Sequence, residues 1–234
     1  MIAVDAGNTT IKVLEFSPSG EVRTQKKWPA TEWKACAQSL ATADQPIWIA
    51  DTAGRNWPLG TCVTSSHSWS FEIDYSAQLG SDRLAAMEGA VQRNPGRSIL
   101  MVSCGTCLTF TFLHQGQRLQ GGAISPGWAS RLKALADYTG SLPRLVPPGS
   151  AQWEALLQTD PRTRDTEASM HRGALQGMLD EVQAEVARFR LIDPELVLIL
   201  HGGDARALVG HIKNGIFADE NWIALGLWSV AQRS

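Results

Sequence analysis

The sequence predicts an α/β protein built from two duplicated domains with a ligand-binding cleft between them, on three observations. Short apolar strands alternate with helical stretches along the whole chain. A strand, a glycine turn and a β-hairpin occur twice, about 98 residues apart, so that Val4-Asp5-Ala6-Gly7-Asn8 lies over Val102-Ser103-Cys104-Gly105-Thr106. A third apolar strand, Pro194 to Leu200, also runs into a glycine turn, at Gly202-Gly203. Asn94-Pro95-Gly96-Arg97 separates the repeats, so the domains are placed at 1–97 and 98–234.

The first element is the Met1 to Phe16 hairpin. Ile2, Ala3 and Val4 read as a buried strand with Asp5 at its end, and Ile11, Val13, Leu14 and Phe16 carry the returning strand. Val22 to Trp28 follows as a third strand, then a helix from Thr31 to Ala43 with Thr31 as its N-cap. Ile47 to Ala50 is a buried strand ending in Asp51, Arg55 to Pro58 is a loop, and Val63 to Trp69 and Phe71 to Tyr75 read as extended. Gly80-Ser81-Asp82-Arg83 opens a helix whose Leu84, Met87 and Val91 share a face. In the second half, Ser98 to Ser103 and Leu108 to Leu113 repeat the hairpin, Leu119 to Ile124 returns, and Ser125-Pro126-Gly127 is a turn. Leu132 to Tyr138 is a helix, and the proline-rich Leu142 to Gly149 is irregular. Thr166 to Leu191 is the longest helix, with Leu175, Met178, Leu179, Val182, Val186 and Phe189 in one stripe that packs on a sheet or a partner subunit. Trp222 to Ala231 is a short C-terminal helix.

Composition narrows the function classes. The chain has 234 residues, 44% hydrophobic and 19% charged, which suits a globular protein with sizeable cores. A net charge of -2 gives no argument for nucleic-acid partners or acidic membrane surfaces, and none is expected. No apolar run approaches the length of a membrane span and no secretory leader is visible, so a cytoplasmic location is the expectation. Four cysteines do not make a disulfide framework. Cys104-x-x-Cys107 opens a hairpin rather than a helix, which favours packed turn residues over a redox or zinc pair.

Neither the Gly-Lys-Ser/Thr phosphate loop nor the Gly-x-Gly-x-x-Gly fingerprint is present. The amides and hydroxyls of Asn8, Thr9 and Thr10 nevertheless suit a nest for phosphate oxygens, and Asp5 beside them suits a magnesium ion held through water. The same residues also suit an ordinary surface hairpin. Asp82 likewise has two readings, as a reacting carboxylate or as a helix cap. Two phosphate-gripping hairpins and a later Gly-Gly turn would together make a kinase-like architecture with a nucleotide cleft.

Five motifs in order resemble the type III pantothenate kinases of the acetate/sugar kinase, heat-shock-70 and actin superfamily, nearly end to end. They are Asp5-x-Gly7-Asn8-Thr9; Tyr75 with Gly80-Ser81-Asp82-Arg83; Gly105-Thr106 with Gly121 to Gly127; Leu142-Pro143 with Thr166 to Gly173; and Gly202-Gly203-Asp204-Ala205. The resemblance implies ribonuclease-H-like, actin-like ATPase domains. It implies phosphorylation of pantothenate to 4′-phosphopantothenate by ATP, the first step of coenzyme A synthesis. Carried over by position, Asp82 is the general base. Asp5, Ala6, Gly7, Asn8, Thr9, Thr10, Ile11, Lys12 and Thr106 contact ATP, with Asp5 on Mg2+. Tyr75, Gly80, Ser81, Asp82, Arg83 and Thr166 line the pantothenate pocket, which two subunits of a homodimer share.

Two departures stand out. The family aspartate tied to a K+ or NH4+ requirement is Ser103 here, and a second family aspartate is Thr111. An active kinase with an altered cation requirement is therefore the leading expectation. A weak or inactive homologue acting as a regulatory or binding protein, and a kinase of another small alcohol, are the alternatives.

Overall fold

A computed structural model describes residues 1–75, 79–149, 152–158, 160–213, 215–217 and 221–233. Among them the strands are β1 (Ile2–Ala6), β2 (Thr10–Phe16), β3 (Val22–Pro29), β4 (Ile47–Asp51), β5 (Thr61–Cys62), β6 (Glu72–Asp74), β7 (Ile99–Cys104), β8 (Cys107–His114), β9 (Arg118–Gln120), β10 (Ile124–Pro126), β11 (Val197–His201) and β12 (Gly215–Phe217). The α-helices are α1 (Trp33–Leu40), α2 (Ser81–Arg93), α3 (Trp128–Asp137), α4 (Trp153–Gln158), α5 (Thr166–Ile192), α6 (Ala205–Val209) and α7 (Trp222–Ala231). The chain divides into two units. The first holds Met1–Arg97, Leu113–Gln120 and Asn221–Ser234; the second holds Ser98–Phe112 and Gly121–Glu220.

In the first unit the sheet runs β3-β2-β1-β4-β5. β1 pairs antiparallel with β2 and parallel with β4, so it is covered on both edges. Period-two alternation sends its side chains to two different cores. Ile2, Val4 and Ala6 pack with Cys36, Ala37 and Leu40 of α1 on one face. Ala3 packs with Ala85 of α2 and with Ala224 and Leu227 of α7 on the other. Helix α2 is buried almost all round, from Leu84 to Val91, because α7 closes on it where neither helix carries a side chain. A Cβ on Gly226 would lie 1.8 Å from the Ala85 carbonyl oxygen, and one on Gly89 would lie 2.3 Å from that of Trp222. Buried Glu88 pins the same crossing. It accepts from Ser70 N–H and Oγ at 2.8 Å and from Ser229 Oγ at 2.9 Å, and it pairs with Arg233 at 2.9 Å.

The second unit repeats the plan. β7 pairs with β8 on one side and in parallel with β11 on the other, and β11 pairs in parallel with β12. β7 and β11 are near-continuous apolar runs, as parallel strands covered on both faces must be. The stripe of α5 lies in this core: Leu175, Met178, Leu179, Val182 and Val186 are buried with Leu100, Val102, Phe110, Leu198 and Leu200. Full burial of each such side chain contributes roughly 2 kcal/mol. Asp165 caps α5 by accepting the Ala168 N–H at 2.8 Å. The shared order of hairpin, parallel strand and parallel strand is the structural form of the internal duplication.

Several local expectations need correction. Thr31 is not an N-cap: residues Ala30–Glu32 form a 3-10 turn and α1 begins at Trp33. Residues 63–69 are not a strand, because His67 Nδ1 bonds back to Thr64 N–H and folds the segment into a turn. Ser125-Pro126 is the end of β10, antiparallel to β8, rather than a free turn. Helix α4 lacked a readable signal because it is short and only partly buried. By contacts, Leu113–Gln120 and Asn221–Ser234 group with the first unit.

Candidate functional site

The first unit brings the acidic residues together through strand periodicity. Asp5 falls on the Ala3 face of β1, the face that α2 covers, and stands opposite Lys12 in the β1–β2 register. Burial pushes its carboxyl up to about 6; Lys12 pulls it down, and Asp82 pushes it up further.

Asp82 lies in the first turn of α2, with Gly80 at the N-cap. Burial raises its carboxyl above the usual range, against the Arg83 and Asp82 backbone N–H groups that bond it and against the Arg83 charge. The N-cap is Gly80 and no side chain caps the helix, so Asp82 sits inside the first turn, where burial raises the proton affinity of its carboxyl. Gly80 leaves room for it, since a Cβ there would sit 2.6 Å from Asp82 Oδ1. Ser81 Oγ donates to the Asp51 carbonyl at 3.2 Å, tying the helix start to β4. The Arg83 guanidinium lies 6.0 Å from the Tyr75 ring centroid. Residues 76–78, inside the expected pocket stretch from Asp74 to Gly80, lie outside the described residues.

The turn after β1 is closed by Gly7 N–H donating to the Thr10 carbonyl at 3.1 Å. Among the described residues the Asn8 and Thr9 N–H groups make no protein hydrogen bond, so the turn presents consecutive backbone donors. The Ala6 and Ile11 side chains are fully buried in the α1-facing core. Those two residues can meet a ligand only through their backbone.

Sequence reasoning missed Asp51 and Arg55. Arg55 Nη1 and Nη2 donate to the carbonyls of Ala6 and Gly7 at 3.2 and 2.9 Å, and Nη1 pairs with Asp51. The available signal was an acid and an arginine four apart, immediately after a buried strand in phase with β1.

The second unit organises its own turn. The Thr106 carbonyl accepts Gly127 N–H at 3.0 Å and Ser130 Oγ at 2.6 Å, fixing Gly105-Thr106 against the start of α3. Gly202 has φ +98°, and a Cβ there would lie 2.3 Å from the Cys104 carbonyl oxygen, so only glycine fits. Asp204 N–H donates to that same carbonyl at 3.1 Å. Burial raises the Asp204 carboxyl to about 6, against the Trp128 N–H that bonds it. Cys104 is buried, and its thiol is pushed far up by burial and by Asp204, the opposite of a reactive thiolate. Ser103 is half-buried opposite His201, and Thr111 is 2% exposed inside β8. An aspartate at 111 would be a buried charge. Thr166 is the first residue of α5 and lines a groove of about 1020 Å³ with Arg131, Leu135, Tyr138 and Met170.

Among the described residues no group of three or more His, Cys, Asp or Glu side chains could hold a metal ion alone. Magnesium takes one or two carboxylates and completes its octahedron with phosphates and water. Asp5 and Asp82 are hard oxygen donors, and burial raises the carboxyl of each. No helix among the described residues is long and apolar enough to cross a membrane.

The sequence profile of the type III pantothenate kinases matches residues 56–188, more than half of the chain. A type III pantothenate kinase of Flavobacterium johnsoniae is 34% identical over 241 residues, covering 95% of this chain and 93% of its own. Among solved structures, component A of (R)-2-hydroxyglutaryl-CoA dehydratase from Acidaminococcus fermentans aligns with a TM-score of 0.61 at 12% identity, over 99% of this chain and 98% of that one. A ROK family glucokinase from Streptomyces griseus, in complex with glucose and AMPPNP, aligns with a TM-score of 0.53 at 12% identity, over 100% and 99%. These two carry the fold: α/β units of the ribonuclease-H-like, actin-like ATPase type.

Proposed function

The chain belongs to the type III pantothenate kinase family, and we propose that it transfers the γ-phosphoryl group of ATP to the primary hydroxyl of pantothenate, giving 4′-phosphopantothenate and ADP. The observation that carries this reading is the pair of carboxyls raised by burial in the first unit, Asp82 at the start of α2 and Asp5 at the end of β1.

Phosphoryl transfer needs the acceptor hydroxyl oriented, its proton accepted and the phosphate charge held in place. Asp82 accepts the proton. A carboxylate made more basic by burial is better matched to a hydroxyl than an exposed one, and Gly80 keeps its approach open. Tyr75, Gly80, Ser81 and Arg83 bind pantothenate, whose carboxylate suits the Arg83 guanidinium. Thr166 completes the pocket from a second copy of the chain, so the working form is a homodimer. Asn8 and Thr9 N–H, Thr10, Lys12, the backbone of Ala6, Gly7 and Ile11, and Thr106 hold ATP. Asp5 holds the magnesium ion through water, and that ion, when bound, neutralises charge on the phosphates. Ser103 and Thr111 remove the carboxylates that a monovalent cation would need, so turnover is independent of K+ and NH4+. The reaction belongs in the cytoplasm.

The experiment is mass-spectrometric detection of 4′-phosphopantothenate with ATP and magnesium, with and without K+ or NH4+. Product formed equally in all salts supports the reading. Nucleotide binding without product under any salt would favour a regulatory homologue. Transfer to another small alcohol but not to pantothenate would reassign the acceptor.

A further inference from the structure

The segment after β4 makes contacts that a surface loop does not need. Arg55 and Asp51 are 11% and 5% exposed in their side chains and form an ion pair at 2.5 Å. Asp51 also accepts the N–H of Ala53 at 3.1 Å and the indole N–H of Trp57 at 3.2 Å, so its carboxylate is held from several sides. The guanidinium it anchors spends its other donors on two successive backbone carbonyls, Ala6 and Gly7. Thr52 adds its own N–H and Oγ1 to the Ala6 carbonyl, at 3.2 and 3.3 Å.

A trans peptide is planar, with its C=O and N–H pointing opposite ways. Holding the Gly7 carbonyl toward Arg55 therefore turns the Asn8 N–H away from Arg55. Holding the Ala6 carbonyl does the same for the Gly7 N–H, which closes the turn on Thr10. The outcome is a turn whose Asn8 donor is preset in the unliganded protein. Preorganised donors bind and stabilise charge more effectively than donors that must be ordered at the time of binding.

We propose that Arg55, anchored by Asp51, is the positioning residue of the nucleotide turn: through the carbonyls of Ala6 and Gly7 it aims the Asn8 N–H at the phosphates of a nucleoside triphosphate. This rests on the kinase reading above. Apart from its Asp51 anchor, the Arg55 guanidinium donates to backbone carbonyls, so it is a positioning residue and not a catalytic one. Its planar fork is what the role requires, since a lysine has one nitrogen and cannot bond two carbonyls and a carboxylate in this geometry.

The test compares the wild type with Arg55→Ala and Arg55→Lys in steady-state turnover, in calorimetric titration with AMPPNP, and in thermal melting. In both variants KM for ATP and the AMPPNP dissociation constant should rise about tenfold or more, while KM for pantothenate stays within about twofold. Added methylguanidinium should recover part of the loss in Arg55→Ala and none in Arg55→Lys. Arg55→Lys keeps the charge beside Asp51 and serves if the alanine variant does not fold. Wild-type nucleotide affinity in a folded variant would overturn the assignment. So would a parallel rise in both KM values that methylguanidinium leaves unchanged. A wild type that binds AMPPNP but makes no product fails the kinase reading alone, because the calorimetric comparison still decides Arg55. A wild type that binds no nucleotide overturns both.

Discussion

Asp5 and Asp82 face one another electrostatically: the carboxylate that opens α2 pushes up the proton affinity of the carboxylate that closes β1. Strand period places the first and the helix start places the second, and α2 packs on the Ala3 face of β1. Two buried acids so arranged store repulsion that a cation or a proton relieves.

The raised Asp5 carboxyl, pushed up chiefly by burial and further by Asp82, has a thermodynamic sign. A carboxyl whose folded pKa is raised binds its proton more tightly in the folded state. Its stabilising effect is fully present below its unfolded value near 3.8 and is lost as pH rises through about 6. Without ligands, Asp5→Asn should therefore be more stable than wild type by about 3 kcal/mol at pH 7.5, with the difference vanishing below the unfolded value of 3.8. Melting curves across that range check it. Equal stability at pH 7.5 would mean that Asp5 is not strained.

Glu88 should behave the opposite way. Burial alone would raise its carboxyl, yet Ser70, Arg233 and Ser229 hold it below the ordinary value. Its contribution is present above the unfolded value of 4.5 and is lost as pH falls through the lower folded value. Glu88→Ala leaves Arg233 without its partner and should cost about 3 kcal/mol at pH 7. The gap to wild type should narrow in acid, as denaturant melts at pH 7 and pH 3.5 would read out.

Gly80→Ala tests the clearance around Asp82. The added methyl meets Oδ1 at 2.6 Å, and the carboxylate must swing aside. The expected result is a kcat lower by about tenfold or more, with a melting temperature lower by only a few degrees, since alanine in place of glycine at an N-cap costs about 1 kcal/mol. Unchanged kcat would show that the position of Asp82 tolerates the shift.

Gly226→Ala tests the helix crossing. Its methyl would lie 1.8 Å from the Ala85 carbonyl oxygen, which is backbone and cannot turn away. A loss of about 3 kcal/mol is expected, read as a melting temperature lower by roughly 6 to 12 °C. A variant as stable as wild type would mean that α2 and α7 can separate without loss.

Much of this architecture was legible because it is periodic. The alternation of Ile2, Val4 and Ala6, the α5 stripe from Leu175 to Val186, and the C-terminal helix from Trp222 to Ala231 all declare themselves through burial of a repeating face. The glycine turn at Gly202 was legible because only glycine takes φ +98° against a carbonyl. What stayed hidden depends on partners distant in sequence. Arg55 acts on carbonyls 48 and 49 positions away, and nothing local marks a loop arginine as buried. The residues 113–120 and α7 join the first unit through contacts of the same long-range kind. The start of α1 was misplaced because Thr31 has cap chemistry, but the chain makes a 3-10 turn through it and enters the helix at Trp33.

The central claim is that Asp82 is the base of a pantothenate kinase, and one paired measurement addresses it most directly. ADP release would be followed with ATP, magnesium and pantothenate for wild type and Asp82→Asn, with AMPPNP binding measured on both. The account predicts pantothenate-dependent turnover in the wild type, a fall of at least about 1000-fold in kcat for Asp82→Asn, and AMPPNP affinity within a few fold of wild type. Turnover in Asp82→Asn equal to that of the wild type would contradict it.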